Sequence, residues 1–174
     1  MTDGLLTALV YVFLLTFIIY PGLAINDTIS FMANVNNYTS WHILMIQGVF
    51  NVSDTLGRYC GGLECLNLSN PKIKCLSWTR TLFIVTFFLV SFDVIVFESD
   101  WFILTNLVFF SVSNGYTSTL CAVKAPGTVE GEAKGQVGAF IGITISTGIV
   151  LGSIIAFAVV YVLELTPEYS KNYE

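Results

Sequence analysis

Charge is what this chain of 174 residues has least of: Asp, Glu, Lys and Arg make up only 11% of it, against about a quarter in an ordinary soluble domain. Seven Lys and Arg face twelve Asp and Glu, for a net charge of −5. No basic excess is left to hold a phosphate backbone, and nucleic-acid binding is disfavoured. Histidine occurs once, at His42, and the four cysteines, Cys60, Cys65, Cys75 and Cys121, make no CxxC pair. A metal site is therefore not expected. Nor is there a nucleophile with a base beside it, so neither an enzyme nor a cofactor is anticipated. What remains is apolar: 55% hydrophobic residues and a mean hydropathy of +0.76. That is too apolar for a disordered chain and too poor in charge for a water-facing surface, which leaves an integral membrane protein with the lipid bilayer as its partner.

A helix needs roughly 20 apolar residues to cross the ~30 Å hydrocarbon layer. Five stretches qualify, at about Leu5–Ile25, Trp41–Tyr59, Thr79–Phe97, Trp101–Val123 and Val137–Leu163. The expectation is an all-α bundle of five transmembrane helices over residues 1–174, with loops too short to fold alone. The first stretch is not read as a cleaved signal, because Thr2, Asp3 and Gly4 supply no positive lead. Pro21 is expected to end or kink it, since proline lacks an N–H and crowds the preceding turn.

Basic residues near crossings are retained in the cytoplasm. Lys72 and Lys74, flanked by Arg58 and Arg80, lie between the second and third stretches, and Lys124 and Lys134 between the fourth and fifth. The connections 22–40 and 98–100 hold acids and no Lys or Arg. The N-terminus is therefore placed in the cytoplasm and the C-terminus outside, with Lys171 alone on the wrong side. The sequons at Asn26 and Asn37 then fall in an outer loop, as candidates for glycosylation.

Polar residues within such stretches are where function is sought. Along the second, Gln47, Asn51, Asp54 and Arg58 recur at intervals of four, three and four. At 100° per residue they form one stripe, within roughly 60° of arc. Asp54 and Arg58 can pair across a turn. Two readings compete: Arg58 snorkels to the headgroups with Asp54 as local partner, or the stripe lines a wet cavity, which alone accounts for Gln47 and Asn51 deeper on the same face. Mixed donors and acceptors suit a neutral polar solute better than an ion. In the fourth stretch Asn106, Ser111, Ser113, Asn114, Thr117 and Ser118 interrupt the apolar run, either for helix packing or, through Asn114, as a cavity wall opposite Asp54. The fifth carries Gly138-x-x-x-Gly142 and Gly148-x-x-x-Gly152, the small-residue spacing of close helix packing. Arg80 is read as an interface anchor at the start of the third crossing.

The segment Phe50-Asn51-Val52-Ser53-Asp54-Thr55-Leu56-Gly57-Arg58 resembles the FNxxDxxGR signature in the eighth of eleven helices of the equilibrative nucleoside transporter family. Asp100-Trp101-Phe102, then Ser113-Asn114-Gly115-Tyr116, Leu120-Cys121 and Pro126 resemble its tenth helix and following loop. Glu132-Ala133 to Gly138 resembles the start of the eleventh, and Pro21 falls where the seventh carries a proline. The resemblance implies facilitated diffusion of nucleosides, sometimes nucleobases, through a major-facilitator-like fold by alternating access. It implies that Asp54 and Arg58 contact the solute and that Asn51 lines the same cavity. Gln47 stands where relatives often carry an apolar or aromatic residue.

The family folds as six plus five helices with the solute between two bundles. Only the C-terminal bundle is represented here, and the N-terminal six-helix half is missing. Three accounts follow: a fragment of a full transporter, a half that works with a separately encoded first half, or a product that only associates with membrane partners. The competing function is a non-transporting membrane assembly or regulatory subunit. A transporter of this kind is expected in the plasma membrane.

Overall fold

The computed structural model describes residues 4–20, 41–91 and 99–164. Among these there is helix and no strand, in the order α1 (Leu5–Ile18), α2 (Trp41–Gly62), α3 (Asn70–Thr79), α4 (Thr81–Ser91), α5 (Asp100–Lys124) and α6 (Ala133–Glu164). Short 3₁₀ turns occupy Glu64–Leu66 and Ala125–Thr128. Pro21, Asn26 and Asn37 lie outside the described residues.

Four of the expected helices appear with shifted ends, but the third differs in kind. It starts at Asn70 rather than Thr79, because Pro71 sits in the first turn, where its fixed φ is suitable and its missing N–H costs nothing. It breaks at Arg80, where the Phe83 N–H bonds the Arg80 carbonyl at 3.0 Å, a three-residue turn. Residues 70–78, expected as loop, thus belong to a 21-residue apolar segment, Asn70–Val90. This segment and Ala133–Val162 are long and apolar enough to cross a bilayer, and Leu5–Ile18 is a shorter apolar helix. At 22 and 25 residues α2 and α5 have the length. Their polar side chains lower the hydropathy.

The helices pack most extensively as two pairs, α2 on α5 and α1 on α6, joined by α1 lying on α5. Glycine sets both close approaches. An added Cβ at Gly115 would lie 1.9 Å from the Asp54 carbonyl oxygen, and one at Gly57 2.2 Å from that of Val112, so the α2 and α5 backbones touch. In the other pair, a Cβ at Gly148 or Gly152 would lie 2.7 Å from the Val10 or 2.6 Å from the Leu14 carbonyl oxygen of α1. Gly138 and Gly142, expected to serve helix packing, are exposed with nothing within 4 Å of such a Cβ. They lie before the crossing with α1, so the shared spacing carries no shared role here. Gly152→Leu is accordingly expected to lower stability by about 1–3 kcal/mol through overpacking, and Gly142→Leu by no more than about 0.5 kcal/mol. Thermal unfolding in detergent separates the two.

Two apolar clusters fill the bundle, one above the other. The first includes Leu5, Leu9, Phe13, Ile73, Leu120, Cys121 and Val137. The second gathers Ile19, Ile46, Phe50, Phe87 and Leu107 around Phe110. Between them runs a buried polar layer: Thr16 of α1, Asp54 of α2, Ser77 of α3, Arg80 at the break, and Ser111, Asn114 and Thr117 of α5. Helices α1 and α5 thus pass from one cluster to the other through polar residues. Two lysines lie at the end nearer the first cluster: the Lys74 side chain is beside Gly4, and the Lys124 ammonium donates to the Leu68 carbonyl.

Candidate functional site

Asp54 lies where α2 and α5 touch. Because Gly57 and Gly115 let the backbones meet, its carboxylate reaches α5 directly: Asn114 Nδ2 donates to Oδ1 at 2.7 Å. Arg58, one turn on, donates from Nε to Oδ2 at 2.7 Å. Both oxygens are thus engaged, one by a buried amide and one by a cation. The Asp54 side chain is 12% exposed, whereas that of Arg58 is 49% exposed. The carboxylate is fixed in protein while the guanidinium reaches past it into the open.

The remaining members of the sequence-predicted stripe sit differently. Asn51 and Gln47 lie on the exposed face of α2, about 4.5 and 10 Å along the helix from Asp54, and are not joined to the Asp54 cluster. The structure therefore brings Asp54, Arg58 and Asn114 together and leaves Asn51 and Gln47 as polar groups on the same outward face. That face also carries Thr55, whose hydroxyl is turned back onto the Asn51 carbonyl at 2.7 Å.

Behind Asn114 the network continues to residues that the sequence did not single out for this site. The Thr16 hydroxyl lies 2.6 Å from Asn114 Oδ1 and 2.7 Å from the Val12 carbonyl. Arg80 Nη2 donates to the Thr16 oxygen at 3.0 Å. Arg80 is 1% exposed, with its guanidinium carbon 4.9 Å from the centroid of Phe110, a cation–π arrangement. Its assignment as an interface anchor is thereby corrected: α3 begins at Asn70 and not at Thr79, so Arg80 falls midway along Asn70–Val90 and points inward. Pro71 was the available signal, as a helix-starting residue well before the apolar run. Thr16 carried none, being a lone hydroxyl in an apolar helix.

Chemically, the exposed part of this site offers a guanidinium and two amides on one helix, a surface that can exchange hydrogen bonds with a polar, uncharged solute. Among the described residues no group of His, Cys, Asp or Glu could hold a metal ion. An open groove of about 310 Å³ elsewhere, between Tyr11, Leu14 and Trp78, shares no residue with the Asp54 cluster and has apolar walls.

Residues 3–161 match the nucleoside transporter family. Among individual proteins, the chain is 26% identical over 150 residues to equilibrative nucleotide transporter 2 of Arabidopsis thaliana, covering 86% of this chain and 34% of that protein. To equilibrative nucleoside transporter 4 of Danio rerio it is 23% identical over 151 residues, with coverages of 84% and 27%. To nucleoside transporter 1.2 of Leishmania donovani it is 26% identical over 151 residues, with coverages of 83% and 29%. The chain spans about a third of the length of these relatives. No solved structure matches it.

Proposed function

Because the chain belongs to the nucleoside transporter family, we propose that it is the five-crossing C-terminal bundle of a major-facilitator-like transporter and forms one wall of its solute cavity. The process is facilitated diffusion of nucleosides or nucleobases by alternating access. It needs no cofactor and breaks no bond. A six-helix N-terminal half supplies the other wall. The Arg58 guanidinium, with Asn51 and Gln47 beside it, binds the solute, and Asp54 and Asn114 hold Arg58 in place. The observation that carries this reading is the asymmetry of the Asp54–Arg58 pair: a headgroup-snorkelling arginine has no need of a carboxylate locked into a neighbouring helix by an amide.

Lys74 and Lys124 at the end that holds Gly4 support a cytoplasmic N-terminus and an outer C-terminus, in the plasma membrane. In that orientation the sequons at Asn26 and Asn37 face outside. The test is uptake of labelled adenosine and uridine by cells expressing the chain together with the six-helix half of a relative. Arg58→Lys is expected to reduce flux by at least about tenfold, because an ammonium lacks the planar fork that pairs with Asp54 and a solute at once. Asp54→Asn is expected to abolish it. Unchanged flux in both variants would point to the alternative, a non-transporting membrane subunit that uses this face for helix pairing.

A further inference from the structure

Arg80 is an expensive residue to bury: two of its nitrogens, Nε and Nη1, are fully buried with no hydrogen-bond partner. An unsatisfied donor in the interior is destabilising, and a charge more so. Simple packing between Thr16 and Phe110 would be served by an apolar side chain of the same length. The cost points to a role that needs a guanidinium.

That role follows from the direction of the hydrogen bonds. A guanidinium can only donate, and a carboxylate can only accept. With Arg80 donating to Thr16, the threonine oxygen is occupied as an acceptor, and its single proton faces Asn114 Oδ1 at 2.6 Å and the Val12 carbonyl at 2.7 Å. The carboxylate requires Nδ2 of the amide toward Asp54 and so turns Oδ1 toward the Thr16 hydroxyl, and Arg80, by donating to that same hydroxyl, favours this orientation. Were it reversed, its NH₂ would face Thr16 and its oxygen would face a carboxylate. The relay from α3 through α1 and α5 to α2 thus has a donor at one end and an acceptor at the other, and such a chain polarises along its length.

We propose that Arg80 is a positioning residue for the solute site, setting the orientation of Asn114 through Thr16 and so holding the Asp54 carboxylate where it presents Arg58 outward. The proposal rests on the transport reading for what the site binds, but not for the relay itself. Arg80 touches no solute.

Two measurements on the full chain in lipid nanodiscs test it. In the first, the chain is reconstituted with the six-helix half of a relative, and tritiated adenosine and uridine are the probes. Thr16→Val keeps the side-chain shape and cuts the relay. It is expected to weaken binding of both by about tenfold or more, a change of about 1.4 kcal/mol, while Thr16→Ser stays within about threefold of the parent. Binding by Thr16→Val equal to the parent's overturns the proposal. So does a Thr16→Ser variant as weak as Thr16→Val, since the hydroxyl would then not be what matters. In the second, with no solute, thermal midpoints are taken for Thr16→Val, Asp54→Asn and the double variant. The relay predicts non-additive shifts, because the two residues act through one chain of bonds. Additive shifts overturn it. A parent chain that shows the coupling yet, reconstituted with the six-helix half, binds neither nucleoside overturns both the transport reading and the positioning role, leaving the relay as a structural device.

Discussion

Gly115→Ala should abolish nucleoside uptake by the assembled transporter, although it adds a single methyl group to a helix. The new Cβ would lie 1.9 Å from the Asp54 carbonyl oxygen and 2.8 Å from the Arg58 backbone nitrogen. None of these is the tip of a flexible side chain that could move aside, so α2 must shift by about 1 Å relative to α5. Overpacking of this sort costs about 1–3 kcal/mol, and its effect falls on the turn that carries Asp54 and Arg58, the pair proposed to serve the solute. Both the 2.7 Å bond from Asn114 and the aim of Arg58 depend on that crossing. Gly57→Ala, blocked by the Val112 carbonyl at 2.2 Å, is expected to behave the same way. Gly62→Ala, on the same helix with open space around it, should retain uptake within about twofold. Flux measurements on the three variants at matched surface expression check the prediction.

Asp54→Ala is expected to be the most destabilising substitution in the polar layer, at about 3–5 kcal/mol. It removes the acceptor of Asn114 Nδ2 and of Arg58 Nε together, and leaves buried Arg80 with no carboxylate at the far end of its relay. Asp54→Asn keeps the volume but only one accepting oxygen, so its NH₂ must face either the Asn114 amide or Arg58, donor against donor. It should fold better than Asp54→Ala and transport no better. Thermal unfolding in detergent gives the first comparison, and uptake the second. Equal midpoints for Asp54→Ala and the parent would mean that the carboxylate is not a keystone of the layer.

The sequence revealed these parts unevenly, for physical reasons. Asp54 and Arg58 were legible because a helix puts residues four apart on one face and because a charge amid apolar residues demands a partner. Asn114 was legible only as one of two possibilities, since an amide in a membrane helix serves packing as readily as binding. Arg80 was misplaced: hydropathy weighs Lys72 and Lys74 against the segment and so starts the crossing too late, while the Pro71 signal is a backbone effect that hydropathy does not see. Gly138 and Gly148 share one motif, yet only the second meets a neighbour. The motif states that backbones can approach, and which helix arrives is decided by the tertiary fold. Thr16 could not be found from its own helix at all, because its importance lies in what α3 and α5 bring to it.

The central arginine bears on how the bundle is made. An arginine halfway along a crossing makes insertion of that helix alone unfavourable by about 2.5–3.5 kcal/mol. Thr16 and Asp54 both precede Arg80 in the chain, so the hydroxyl that accepts from it and the carboxylate that balances it are synthesised before it. Segment Asn70–Val90 therefore does not have to partition into lipid by itself; it can pass from the insertion channel directly onto helices waiting beside it.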